Sequence, residues 1–186
     1  MPRCIRTVAI LALALCGAAW AQENAGKWID VPFVPQQKDG CGAASVAMVM
    51  QYWQRQAAGH ATPAADYATI DRALHSDAAH GIYASDIVRY LEQNHFRAFA
   101  FAGTSADLTQ HLAKGRPLIV ALQPGAGLPL HYVVVVGLDP LAHLVLVNDP
   151  AQRKLLKEDG RQFEHEWDAA GHWTLLALPA EAPARE

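Results

Sequence analysis

The sequence predicts an α+β domain, with a helical half built on one buried central helix, followed by an antiparallel sheet half. Three observations carry that expectation. Residues 42–56 are Ala-rich and nearly all apolar through Met50, which reads as a helix with no solvent face. Residues 131–136 hold four successive valines, the strongest β signal in the chain. The other helical periodicities fall mostly before residue 115 and the apolar strand-like runs mostly after it.

The elements follow in order. Trp28-Ile29-Asp30-Val31-Pro32-Phe33-Val34-Pro35 reads as extended, and its two prolines confine it to an edge or a lead-in. The central helix is expected to end near Gly59-His60. Residues 64–74 suit a short surface helix with Tyr67, Ile70 and Leu74 on one face. Gly81-Ile82 begins a turn, and Ser85 is the expected cap of a helix over 86–94, where Ile87, Tyr90 and Leu91 fall at helical spacing. Residues 96–101 alternate as a strand. Thr104 or Ser105 caps a helix to Lys114, closed by Gly115. Residues 117–122 have the continuous apolar character of a buried strand. Residues 123–129, with two glycines and two prolines, form a loop. After the valine strand, residues 137–141 are expected to turn the chain and 143–148 to return as its hairpin partner, ended by Asp149-Pro150. A short helix over 163–170 and a last strand over 173–178 complete the domain.

The amino terminus reads as a secretory signal peptide over residues 1–21. Arg3 and Arg6 precede an apolar run too short to span a bilayer, and Ala19-Trp20-Ala21 is a small-x-small cleavage signature. The folded domain is then expected over 22–179, with an Ala/Pro/Glu-rich tail over 180–186. Export implies a periplasmic or extracellular location. Cys16 allows a lipid-anchored alternative, which the large Leu15 before it disfavours.

Removing Arg3 and Arg6 from the 15 basic residues leaves 13 against 18 acidic, a net charge of about −5 for the exported chain. That balance, without a basic patch interleaved with aromatics, excludes a nucleic-acid partner. Of the three cysteines, Cys4 and Cys16 leave with the signal peptide. Cys41 is then a lone thiol in an oxidising compartment, where an idle thiol is a liability unless deeply buried or used.

Cys41 sits where the turn-forming Asp39-Gly40 runs into the central helix. A helix N-terminus presents unpaired N–H groups and the positive end of the macrodipole, which suits a sulfur nucleophile. A nucleophile of this kind needs a base, and the base needs an orienting acceptor. His131 opens the valine strand, and Asp149 ends its hairpin partner. A short connection brings the start of one strand beside the end of the next, so a carboxylate at Asp149 can fix the imidazole of His131. Oxyanion stabilisation would come from the Cys41 N–H and a side-chain amide earlier in the loop. Gln36, placed by Pro35, is preferred, with Gln37 the competing candidate.

The blocks Val31-Pro32-Phe33-Val34-Pro35-Gln36, Asp39-Gly40-Cys41-Gly42-Ala43-Ala44-Ser45-Val46-Ala47-Met48, His131-Tyr132-Val133-Val134-Val135-Val136-Gly137 and Asn148-Asp149-Pro150 resemble, in order, the bacteriocin-leader-processing peptidases and their stand-alone exported relatives among the papain-like cysteine peptidases. The resemblance implies a papain-like fold, Cys41 as nucleophile, His131 as base, Asp149 as orienting residue and Gln36 as oxyanion donor. It implies a peptide or protein substrate and no cofactor. Transporter-fused members cleave double-glycine leaders in the cytoplasm. This chain has an export signal and no transporter segment, and its spacing from glutamine to cysteine is closer to that of the exported relatives.

Other histidines do not form a metal pattern. His75 and His80 are off helical register and no His-Glu-x-x-His is present, so no metal is expected. Trp53, Trp167 and Trp173 read as core aromatics. Two rivals to the peptidase are a transglutaminase-like acyltransferase using the same three residues and a non-catalytic peptide-binding module of the same fold. The domain is expected to act as a monomer, and the substrate itself is not legible in the chain.

Overall fold

The computed structural model describes residues 26–57 and 62–180. The expected signal peptide, the tail from residue 181 and the stop signal Gly59-His60 lie outside them; the central helix itself ends at Gln56, inside them. Among the described residues no helix is long and apolar enough to cross a membrane.

The architecture is α+β, as the sequence predicts. One antiparallel sheet has the order β2-β7-β3-β4-β5-β6, from β2 (Phe96–Ala102), β7 (Trp173–Pro179), β3 (Leu118–Leu122), β4 (His131–Asp139), β5 (Leu144–Asp149) and β6 (Arg153–Asp159). A two-residue β1 (Lys27–Trp28) joins beside the far end of β4, with Trp28 opposite Gly137.

The central helix α1 (Cys41–Gln56) is buried at every residue from Gly42 to Met50. It covers one sheet face, against Ile119, Ala121, Val134, Val136, Leu175 and Ala177. Ser45, a polar residue inside this face, donates from Oγ to the carbonyl of Tyr132 at 3.2 Å. The opposite face of the sheet packs Val120, Val133, Val135 and Val147 against Leu108, Phe163 and Trp167. Those three belong to α4 (Ser105–Ala113) and α5 (Gly160–Ala169). Strands β3 and β4 are therefore covered on both sides, which is why they read as continuous rather than alternating apolar runs.

The smaller helices show how local chemistry sets the boundaries. In α2 (Tyr67–Leu74) the Asp66 carboxylate accepts the Thr69 N–H at 3.1 Å, and Ile70 is buried. In α4, Thr104 and Asp107 form a reciprocal capping box. Helix α3 (Ala84–Gln93) starts before the expected cap at Ser85. Its N-cap is Tyr83, whose carbonyl accepts the N–H groups of Asp86 and Ile87, and Ser85 lies inside the first turn. Helix α5 begins three residues before the apolar Phe163 because Asp159 caps it, accepting the N–H groups of Arg161 and Gln162.

Two strand expectations are corrected. Gly137 does not turn the chain; β4 continues to Asp139, with a register shift between Val135 and Gly137, and the turn falls at residues 140–143. Pairing on both sides of Gly137, with Trp28 and with Leu146, holds it in the sheet. The segment Arg153–Asp159 is a strand that the sequence did not signal. It is an edge strand, and charge along an edge masks the alternation while discouraging further pairing.

The corner where β5 ends is closed by Asn148, which is fully buried. Its Nδ2 donates to the carbonyl of Val31 at 3.2 Å and its Oδ1 accepts the N–H of Leu155 at 3.0 Å. Leu155 is held at φ 51°, in the left-handed region, beside the register shift between Val147 and Asp149. Asn148→Ala should leave a carbonyl and an N–H unpaired inside the protein and destabilise it by about 2–4 kcal/mol. A urea midpoint equal to that of the unmutated chain would contradict this account of the corner.

Candidate active site

Three segments far apart in the chain converge at the N-terminus of α1. Cys41 is the first residue of that helix, after Gly40 at the N-cap, and is partly exposed. Its N–H is among the first four of the helix, which have no intrahelical acceptor. Gly42 behind it has no room to spare: an added Cβ would lie 3.3 Å from Ile82 Cβ and 3.4 Å from Tyr132 Cδ2. The residue that follows the cysteine is thus wedged between the segment before α3 and the second residue of β4.

His131, the first residue of β4, is hydrogen-bonded through Nε2 to Asp149 Oδ1 at 2.8 Å, with its side chain 23% exposed and that of Asp149 4% exposed. The hairpin brings them together because Val134 pairs with Asn148, which sets the start of β4 beside the end of β5. With Nε2 engaged by the carboxylate, Nδ1 is the ring nitrogen left for another partner, and hydrogen bonding and charge at Cys41 raise the pKa of this imidazole. The carboxylate is itself fully occupied. Its Oδ1 also accepts the Ala151 N–H at 2.8 Å, and its Oδ2 accepts the Gln152 amide at 2.7 Å. Gln152 was not singled out from the sequence, where a polar residue in a turn carries no signal.

The neighbouring Asn148 does not share the orienting role. Its side chain points into the core and is spent on two backbone groups, so only Asp149 reaches the ring.

The two glutamines separate as well. Gln36 is half-buried, its N–H donates to the carbonyl of Pro150 at 2.9 Å, and its Oε1 is enclosed without a hydrogen-bond partner. Gln37 is exposed, and its backbone is spent on the turn. The backbone thus ties Gln36 directly to the residue after Asp149.

The electrostatics favour a charged ring. Burial opposes charge on His131, but the hydrogen bonds to Asp149 and Cys41 and their negative charge outweigh it and raise the pKa to about 10. Burial pulls Asp149 the other way, yet the bond and charge of His131, then the Ala151 N–H and the Gln152 amide, hold it below the ordinary carboxylate value. Cys41 also faces Tyr132, whose phenol is pushed up to about 12 by burial and then by negative charge at the cysteine.

A second carboxylate, unmarked in the sequence, feels the charges of this pair. Glu158 of β6 is raised to about 7, by burial first and then by the negative charges of Glu166 and Asp149, with His131 opposing.

A cleft of about 780 Å³ lies elsewhere, lined by Leu108, Leu138, His143, Val145 and Phe163. It lies toward the turn of the β4–β5 hairpin, whereas His131 and Asp149 occupy the opposite end of those strands.

A helix carrying the cysteine, packed on a sheet that carries the histidine and the aspartate, is the arrangement of a papain-like fold. The comparisons with known proteins agree. The model of the Peptidase_C39 like family matches residues 28–174, and the chain belongs to that family. No curated protein matches it. Among solved structures it is similar to a C39-like peptidase from Bacillus anthracis, with 19% identity over 84% of this chain and 99% of that one and a TM-score of 0.64. It is similar to the peptidase domain of Streptococcus ComA, a bi-functional ABC transporter involved in quorum sensing, with 21% identity, 79% and 97% coverage and a TM-score of 0.61. It is also similar to a double-glycine-motif protease from an AMS/PCAT transporter in complex with its leader peptide, with 20% identity, 82% and 94% coverage and a TM-score of 0.60. Those structural likenesses concern the fold. Family and fold together give the chain a cysteine-peptidase-like function.

Two pH experiments follow. Asp149→Asn removes the charge that sustains the imidazolium, so the His131 ring should titrate well below about 10 when followed by NMR; an unmoved titration would contradict the pairing. The sign for Glu158 is opposite to that of an ordinary paired acid. Its folded pKa is raised, so its contribution is intact below the ordinary value of 4.5 and is lost as pH rises through about 7. Glu158→Gln should therefore raise the melting temperature at pH 8 and leave it unchanged at pH 4.

Proposed function

We propose that this protein is an exported cysteine peptidase that hydrolyses peptide bonds through Cys41, His131 and Asp149. The observation that carries the reading is the 2.8 Å bond between His131 Nε2 and Asp149 Oδ1, on a ring whose pKa Cys41 also helps to raise. In this mechanism the sulfur of Cys41 attacks a peptide carbonyl carbon, and the carbonyl electrons move onto oxygen. The Cys41 N–H and the Gln36 side-chain amide stabilise that oxyanion. The imidazolium of His131 gives its proton to the leaving amine as the carbon–nitrogen bond breaks, leaving a thioester on Cys41. Water, deprotonated by the now neutral ring, attacks the thioester and releases the carboxylate product and the sulfur. Asp149 keeps the ring oriented in both halves of the reaction.

The leader-peptide complex of the transporter protease supports a peptide as the substrate class. The signal-peptide reading of residues 1–21 supports a substrate in the periplasm or outside the cell, with the exported chain beginning near Gln22. Water as the acyl acceptor distinguishes this reading from a transglutaminase-like transfer, in which an amine would take the acyl group.

A peptide-library digestion analysed by mass spectrometry tests both points. The wild-type chain should give cleaved peptides, and Cys41→Ala should give none while keeping its fold. Cross-linked or amine-modified products would replace hydrolysis by transfer, and an inert wild type would leave only a binding module. Within the peptidase, Gln36→Ala should lower kcat by about 10²–10³ with little change in KM, the loss typical of one oxyanion donor. Equal activity of that variant, with a sensitive Gln37→Ala, would move the role to Gln37.

A further inference from the structure

The turn that delivers Cys41 is gripped from outside by a single phenol. The Gln37 N–H donates to the hydroxyl of Tyr67 at 3.1 Å. The Gly40 N–H donates back to the Gln37 carbonyl at 3.0 Å, closing the turn, with Asp39 in the left-handed region at φ 57°. The Gly40 carbonyl then accepts the Ala44 N–H at 3.0 Å and starts α1. The hydroxyl of Tyr67 already occupies the place of a side chain at residue 40: an added Cβ would be 2.0 Å from it and 3.0 Å from the ring Cζ. One hydroxyl therefore meets both ends of the turn. Gln37 follows Gln36 directly and Gly40 precedes Cys41 directly, so the turn it grips separates the two oxyanion donors of the peptidase reading.

Tyr67 has a rigid base. It is the first residue of α2, which is capped by Asp66 and anchored by the fully buried Ile70. Burial, and then the negative charges of Asp71 and Cys41, raise the phenol's pKa against the lowering effect of the Gln37 bond. The hydroxyl stays neutral at physiological pH and keeps a lone pair for the Gln37 N–H.

Resting on the peptidase reading above, we propose that Tyr67 is a positioning residue whose hydroxyl sets the spacing between the oxyanion donors at Gln36 and Cys41. A tyrosine that merely packs on a glycine would affect stability alone. A positioning residue acts on the acylation step, where small misplacements of donors carry large rate costs.

The test uses the full chain and two substrates: p-nitrophenyl acetate, which acylates the thiol without any peptide contact, and a peptide from the library digestion. Tyr67→Phe should slow acylation roughly tenfold, the cost of one hydrogen bond, with kcat for the peptide falling and KM unchanged. The double variant Gly40→Ala with Tyr67→Phe should be no slower than Gly40→Ala alone, because both disturb one turn. Wild-type acylation by Tyr67→Phe, strictly additive losses, or a loss confined to melting temperature would each overturn the proposal. The two readings fail separately. A wild type that acylates but cleaves no peptide overturns the peptidase, with Tyr67 then judged on its acylation rate. A wild type that cleaves peptides beside an equally fast Tyr67→Phe overturns only the role of Tyr67.

Discussion

Two adjacent side chains at the end of β5 hold the candidate site together, one bound to backbone in the core and the other to the ring of His131. Asn148 is spent entirely on backbone, tying the lead-in at Val31 to the bulged edge strand at Leu155. Asp149, one residue on and turned the other way, holds the ring of His131. Because successive residues of a strand point to opposite faces, the constraint that fixes the first also aims the second. The same corner supplies the Pro150 carbonyl to the backbone of Gln36. The loop before the cysteine and the strand that carries the histidine thus share one anchor.

The helix that carries Cys41 is placed by a different force. Its burial against the sheet is apolar and broad, and apolar burial alone does not resolve a small sliding of one surface over another. The polar links do: Ser45 to Tyr132, Tyr52 to Gly115 and Trp53 to Ala177 each bind α1 or its end to one chosen backbone carbonyl. A buried donor left unpaired costs more than a paired one contributes, so these links select a single register. The charge pattern depends on that placement. His131 is sufficiently enclosed for burial to disfavour its charge, and it is charged nonetheless because Asp149 and Cys41 flank it. A small slip of either half would leave the ring enclosed without one of its partners.

Legibility followed the kind of signal each segment carried. The valine strand, the apolar helix and the capped α4 were readable because their periodicity and end residues agree with the tertiary result. The edge strand β6 was not, since its Lys, Arg and Glu residues answer to solvent and to edge protection rather than to a core. Ser85 misled because a helix start can be made with a backbone carbonyl, here that of Tyr83, without any side-chain cap. Gly137 misled for a related reason: glycine marks turns by preference, but here it sits in the sheet at a register shift. Gln152 and Glu158 had no sequence signal, because their significance lies in what faces them.

The sequence by itself determined the α+β class, the buried helix with a cysteine at its tip, the hairpin that returns Asp149 toward His131 and the family to which the chain belongs. The first three follow from local periodicity, end residues and short-range connection, all of which act along the chain, and the family from the resemblance of four motif blocks to its members. Only the tertiary structure decided which of two neighbours meets the imidazole, which of two glutamines is half-buried beside Pro150, and that Tyr67 seats on Gly40. Each of these depends on contacts between residues tens of positions apart. Side-chain direction at such contacts is set by packing and hydrogen-bond satisfaction in three dimensions, for which no linear pattern exists.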